Sequence, residues 1–178
     1  TYLHNFYELD MEDAALRTAV FVVIAVACRP LGGALADRFP GAWVLIVSYI
    51  VTGLMAAAAT ERMPLINTEG GTLYPLGTVV FLFMGASLGV ASGAVFALVA
   101  ELVEPSAVGS VTGIVGAVGG LGGFVPPLLL GYFWTAHGNY RIGLLLLFVL
   151  SAATAVLTWL WFLRSGRSAS PATERTSA

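Results

Sequence analysis

Long apolar segments separated by short polar connections dominate the chain. A helix that crosses about 30 Å of hydrocarbon needs roughly 20 mainly apolar residues. Segments of this kind cover approximately residues 18–36, 43–60, 76–100, 107–134 and 142–163, and residues 1–7 resemble the end of a further one. A membrane β-barrel would instead show segments of about ten residues with alternating polarity. The pattern therefore predicts an all-α membrane protein with five complete transmembrane helices and the end of a sixth.

The composition changes near the end of the last apolar segment. Residues 165–178 are small and polar, a composition that buries too little apolar surface to fold. We expect residues 1–164 to form one transmembrane unit and residues 165–178 a disordered cytoplasmic tail. The chain opens at Thr1 without an initiator methionine or a basic segment, so we expect no signal peptide here and a longer parent protein.

The arginines give the orientation in the membrane. If the turn at Asp37 and the tail are cytoplasmic, four arginines lie inside and three outside. This small excess on the cytoplasmic side agrees with the positive-inside rule. The inside set is Arg38, Arg164, Arg167 and Arg175, and the outside set is Arg17, Arg62 and Arg141. We expect a multi-pass protein of the cell (plasma) membrane in contact with the lipid bilayer.

The charged and reactive residues exclude several functions. Only 10% of the residues are charged, against about 25% in a soluble domain. The chain has no lysine for a phosphate-binding loop, and its net charge of −2 does not suit nucleic acid. Cys28 is the single cysteine, and His4 and His137 are isolated. We therefore expect no metal site, no cofactor, no catalytic residue and no nucleic-acid partner.

Arg29 is the strongest candidate functional residue. It follows the apolar run that ends at Cys28 and precedes Asp37 by about 12 Å of helix. A charge at this depth costs roughly 2.5 to 3.5 kcal/mol, so it normally faces a water-filled cavity or a partner. The five segments contain no Asp or Glu. A guanidinium without a counter-ion favours a bound anion, and its planar fork suits a planar oxyanion. The alternative is an arginine that extends to the membrane surface.

A glycine stripe occupies one face of the fourth segment. Its members recur at helical spacing: Gly109, Gly113, Gly116, Gly120 and Gly123, with Gly119 and Gly122 alongside. A face without side chains permits close helix packing, or contact between the backbone and a small ligand. Both interpretations remain open. A second ladder, Gly85, Gly89 and Gly93, favours packing.

Two further residues have a structural and a chemical interpretation. Ser87 in the sequence GASLG matches a nucleophile motif, but an intramembrane hydrolase also needs a histidine at the same depth. The spacing of His4 and His137 places both at segment ends, so the pattern favours a structural Ser87. Cys28 points roughly 100° away from Arg29 around a helix, which favours packing as well.

Two motifs resemble those of a known family. The sequence RPLGGALADRFPG resembles the cytoplasmic loop motif of the major facilitator superfamily, in which Gly33, Asp37 and Arg38 mark a turn between helices. The sequence GSVTGIVGAVGGLGGFVPPLLLG resembles the glycine-rich nitrate signature of the nitrate/nitrite porter family within that superfamily. The likeness covers essentially residues 1–164.

The resemblance implies a fold, a function and a set of site residues. It implies the C-terminal six-helix half of a major facilitator fold, with an N-terminal six-helix half as its missing partner. It implies transport of nitrate, nitrite or both by alternating access, with substrate held between the halves. Arg29 would be one of two substrate-binding arginines. The facing glycine-rich helix would contribute Gly116, Gly119, Gly120 and Gly123.

Three alternatives remain open beside nitrate transport. The chain could belong to a porter for another small anion, to a helical bundle that does not transport, or to an intramembrane hydrolase that uses Ser87. Flux of an anion would exclude the inert bundle, and labelling of Ser87 by a serine-reactive probe would favour the hydrolase.

Overall fold

The computed structural model describes residues 2–61, 76–138 and 140–164, and the described residues are almost entirely helical. The helices are α1 (Tyr2–Tyr7), α2 (Met11–Ala27), α3 (Arg29–Arg38), α4 (Gly41–Ala58), α5 (Leu76–Leu102), α6 (Val108–Gly122), α7 (Val125–His137) and α8 (Arg141–Arg164). The predicted loop over residues 62–75 and the predicted tail over residues 165–178 lie outside the described residues.

Five spans in the described part of the chain are long and apolar enough to cross a membrane. They are Met11–Arg38, Gly41–Ala58, Leu76–Leu102, Val108–His137 and Arg141–Phe162. The predicted all-α class with five transmembrane helices is confirmed. The short α1 lies where the sequence predicted the end of a sixth helix.

Two of the spans consist of two helices each. The first span breaks at Cys28, between α2 and α3, and Pro30 follows in the first turn of α3. Proline has no N–H group, so it interrupts the hydrogen bonds of a helix interior but is tolerated in a first turn. The fourth span breaks at Gly123 and Phe124, before two prolines of α7. Both breaks therefore occur directly beside prolines.

The helices extend beyond the apolar segments predicted from the sequence. Helix α2 begins at Met11, ahead of the segment that starts near residue 18, because Glu12, Asp13 and Arg17 are helical although they are charged. Acidic residues in a first turn stabilise a helix through its dipole. The predicted turn at residues 37–41 is also shorter than expected. Helix α3 continues through Arg38, and only Phe39 and Pro40 connect it to α4.

Helices α4 and α5 form the centre of the bundle. Helix α4 packs against α5 and α8, and α5 also packs against α2 and α3. One buried cluster contains Leu45, Ala91 and Ala94. A second, at the other end of α4, contains Ala59, Val80, Tyr140 and Leu144. Helices α6 and α7 contain no buried residue in the described chain, so the span that carries the glycine stripe lies at the edge of this bundle.

Candidate functional site

Arg29 lies at the break in the first span. It is the first residue of α3, directly after Cys28, and its side chain is exposed. Within the described ranges no carboxylate forms an ion pair with its guanidinium. Arg29 lies within the apolar span Met11–Arg38, nine residues before its end. The exposed guanidinium is free to meet a ligand or another protein surface.

The backbone of this region is fixed by the glycine ladder of α5. A Cβ atom built on Gly89 would collide with the carbonyl oxygen of Ala25, and one built on Gly93 would collide with the carbonyl oxygen of Arg29. At Gly85 the nearest atoms are ring and backbone atoms of Phe21 at 3.1 Å. The predicted packing role of this ladder is confirmed, because only glycine permits such a close approach between two helices.

Cys28 packs in the same crossing. Its Cβ atom lies 2.9 Å from the place where a Cβ would stand on Gly89. The thiol is partly exposed and free. The prediction that Cys28 serves packing is confirmed by this contact with α5.

The glycine stripe of α6 has a different environment. No atom lies within 4 Å of a Cβ built on Gly116, Gly119 or Gly120. At Gly123 the nearest atoms are carbonyl oxygens of its own helix, at 3.2 Å and 3.6 Å. The described part of the chain therefore neither fills this face nor brings Arg29 into contact with it. The assignment of these four glycines to a binding site remains a prediction.

The cytoplasmic loop motif lies along α3. Gly33 is within the helix, where a Cβ atom would point into open space, and Asp37 and Arg38 are exposed in the last turn. The two-residue connection that follows brings α4 back beside α3. The motif thus ends at the first residue of α4, and only Phe39 and Pro40 connect the two spans.

Ser87 has a structural partner that the sequence analysis did not identify. Its hydroxyl and the hydroxyl of Thr52 are 2.8 Å apart, and both residues are buried between α4 and α5. Ser87 also donates to the carbonyl oxygen of Met84 at 3.0 Å. The sequence signal for Thr52 was available, because Ser48 and Thr52 lie four residues apart on one face of an otherwise apolar helix.

The histidines contact groups other than Ser87. His4 Nδ1 donates to the carbonyl oxygen of Leu9 at 2.6 Å near the start of the chain. His137 ends α7, where its ring is 6.0 Å from that of Phe133. The contacts of Ser87 are therefore those of a residue that joins two helices, which does not favour the hydrolase interpretation.

Five apolar spans, two of them broken at proline, and a cation at one of the breaks define a multi-pass α-helical membrane protein. The family model of the Major Facilitator Superfamily matches residues 2–178. The chain belongs to this superfamily.

Two relatives of this chain are named as probable transporters of nitrate or nitrite. The chain is 40% identical over 148 residues to the probable nitrate/nitrite transporter NarK2 of Mycobacterium tuberculosis, in a match that covers 83% of this chain and 35% of the relative. It is 33% identical over 150 residues to the probable nitrate transporter NarT of Staphylococcus aureus strain Newman, and this match covers 83% of this chain and 36% of the relative. No solved structure gave a significant match.

These relatives confirm the resemblance to nitrate/nitrite porters that the two motifs indicated. The chain spans about a third of the length of the curated relatives it matches.

Proposed function

We propose that this chain forms the C-terminal half of a nitrate/nitrite transporter of the cell membrane. The complete porter consists of this chain and an N-terminal six-helix half, on the same polypeptide or on a second one. The two halves rock about a central anion, so that the site opens alternately to each side of the membrane.

The main observation in support of this proposal is the exposed guanidinium of Arg29. A membrane span retains a charge only if the charge has a function or a partner, and Arg29 has no acidic partner in the described ranges. Nitrate is a planar anion with a single charge, and a guanidinium can hold two of its oxygens through parallel charge-assisted hydrogen bonds. The names of the relatives support the same substrate.

The open face of α6 supports a second half. Large apolar side chains beside the glycine stripe are exposed, including Ile114, Val118, Leu121 and Phe124. In the complete porter, part of this surface would face lipid and the glycine face would meet the other half. Arg29 and the glycines would then line one cavity, although this chain alone supplies only part of its wall.

Uptake of labelled nitrate into liposomes tests the proposal. We expect the complete porter to accumulate nitrate above empty liposomes and this chain alone to give no uptake. Unlabelled nitrite should compete with nitrate, whereas formate and chloride should compete weakly. Stronger competition by a different anion would identify a porter of another substrate class. The absence of any anion flux from the complete porter would refute transport.

A further inference from the structure

The first span and α5 contact each other in a regular register. Gly85 lies against Phe21, Gly89 against Ala25 and Gly93 against Arg29, so each step of four residues on one helix matches four on the other. The two helices therefore run parallel, and one helical turn separates successive contacts. The last of these contacts is with the residue that carries the candidate charge.

The contact at Gly93 is between two backbones. A Cβ at this position would collide with the Arg29 carbonyl oxygen and would lie 2.9 Å from the Arg29 carbonyl carbon and 3.0 Å from the Gly33 nitrogen. Backbone atoms cannot rotate away as the end of a side chain can. The reverse contact exists as well, because a Cβ on Gly32 would collide with the Val90 carbonyl oxygen of α5. Each helix thus holds the other at a fixed distance.

This restraint acts where the first span is weakest. Pro30 provides no N–H group for the carbonyl of Val26, so the segment between α2 and α3 lacks a helical hydrogen bond. Without an outside contact, the span could bend at Cys28 and carry the Arg29 side chain with it. The crossing with α5 fixes the backbone on the α3 side of this break.

We propose that Gly93 is a positioning residue for Arg29: its missing side chain sets the distance between α5 and the Arg29 backbone and so fixes where the guanidinium meets the anion. The inference rests on the proposed function, because it requires Arg29 to bind substrate. An added methyl group must displace the Arg29 backbone and disturb the alignment of its two hydrogen bonds. We expect Gly93→Ala to weaken nitrate binding by about ten- to a hundredfold.

A double-mutant cycle in the complete porter separates positioning from a general loss of stability. Equilibrium binding of labelled nitrate is measured for wild type, Gly93→Ala, Arg29→Lys and the double variant. If Gly93 acts through Arg29, the methyl group should cost little once the guanidinium is gone. Gly53→Ala is the matched control, because it adds the same methyl group to a different tight crossing, where a Cβ would meet Phe148 and Ser151 of α8 at 3.3 Å and 3.4 Å; its nitrate affinity should equal that of wild type.

A second measurement tests the contact in this chain alone, without nitrate. Cys28 is the single cysteine and packs in the crossing, so its labelling rate by a maleimide in lipid nanodiscs reports on the separation of the helices. Gly93→Ala should accelerate labelling severalfold. Gly33→Ala, which adds the same group on α3 in open space, should not.

The outcomes are distinguishable. Weaker nitrate binding by Gly93→Ala, with no further loss in the double variant, supports the inference. Wild-type nitrate affinity in Gly93→Ala, or the full additional loss in the double variant, overturns it. Unchanged Cys28 labelling overturns the contact on which it depends. If the wild-type complete porter binds no nitrate while Gly93→Ala still accelerates labelling, the proposed function fails, and the positioning role falls with it although the helix contact stands.

Discussion

The two glycine-rich helices of this chain use the same residue in opposite environments. On α5, Gly85, Gly89 and Gly93 meet the backbone of the first span, and two of the three leave no space for a Cβ atom. On α6, Gly116 and Gly120 face open space. Glycine on α5 therefore permits close packing within this bundle, whereas no described residue packs against Gly116 or Gly120 of α6.

A glycine pattern in the sequence therefore predicts a helix face without side chains, but not what packs against that face. The residues that pack against the α5 glycines can be identified, because Phe21, Ala25 and Arg29 of the first span follow the same four-residue spacing. No comparable set of residues lies opposite α6 in the described ranges. Replacement of a glycine by leucine should therefore reduce stability on α5 and transport on α6.

The largest expected effect is the loss of folding in Gly89→Leu. Its side chain would collide with the backbone of Ala25, and the cost should exceed about 3 kcal/mol because neither backbone can move without breaking helical bonds. We expect this chain to lose its cooperative thermal unfolding in detergent. Gly120→Leu is the matched control and should unfold at the wild-type temperature. Equal melting temperatures for both variants would remove the distinction between the two helices.

The second effect concerns Gly120→Leu in the complete porter. If the α6 face meets substrate or the other half, a leucine should severely reduce nitrate uptake while the protein still reaches the membrane in normal amounts. Uptake by matched quantities of wild type and variant measures this. Normal uptake would show that the stripe faces lipid and would remove Gly120 from the site.

The sequence predicted the two glycine faces and the number of spans, since these follow from local spacing and composition. It did not predict the pairing of Thr52 with Ser87, because that contact joins residues 35 positions apart. The apolar pattern marks the segment from about residue 18 but not the charged first turns of α2, which include Glu12, Asp13 and Arg17. The position of Arg29 in a span was predicted, but its backbone contact with Gly93 required the register of two helices.

A smaller effect is expected for Ser87→Ala. Helix α5 is held on its other side by the hydrogen bond with Thr52, and its removal leaves a buried hydroxyl of Thr52 without this partner. We expect a loss of about 1 kcal/mol in unfolding free energy, much less than at Gly89. Ser110→Ala is the control, because that serine only donates to Ala107 of its own exposed turn. A loss as large as that of Gly89→Leu would show that the hydroxyl pair, rather than the glycine crossing, secures α5.

The smallest effect is expected for the double substitution of Glu101 and Glu104 by glutamine. Both carboxylates are exposed at the end of α5, away from the crossing, and proton coupling requires titratable groups at membrane depth. The pH dependence of nitrate uptake by the complete porter should be unchanged. A flattened pH profile would assign proton coupling to this end of α5.

The most direct test of the central claim is nitrate uptake by the complete porter with Arg29→Lys. Lysine keeps the charge but offers a rotating point donor in place of a planar fork. The loss of one charge-assisted hydrogen bond should cost about 1.5 to 3 kcal/mol, or roughly ten- to a hundredfold in affinity. We predict little or no labelled nitrate uptake at low nitrate by the lysine variant, with wild-type amounts of protein in the liposomes. Near-normal uptake would contradict the account, because an arginine that only extends to the membrane surface tolerates lysine.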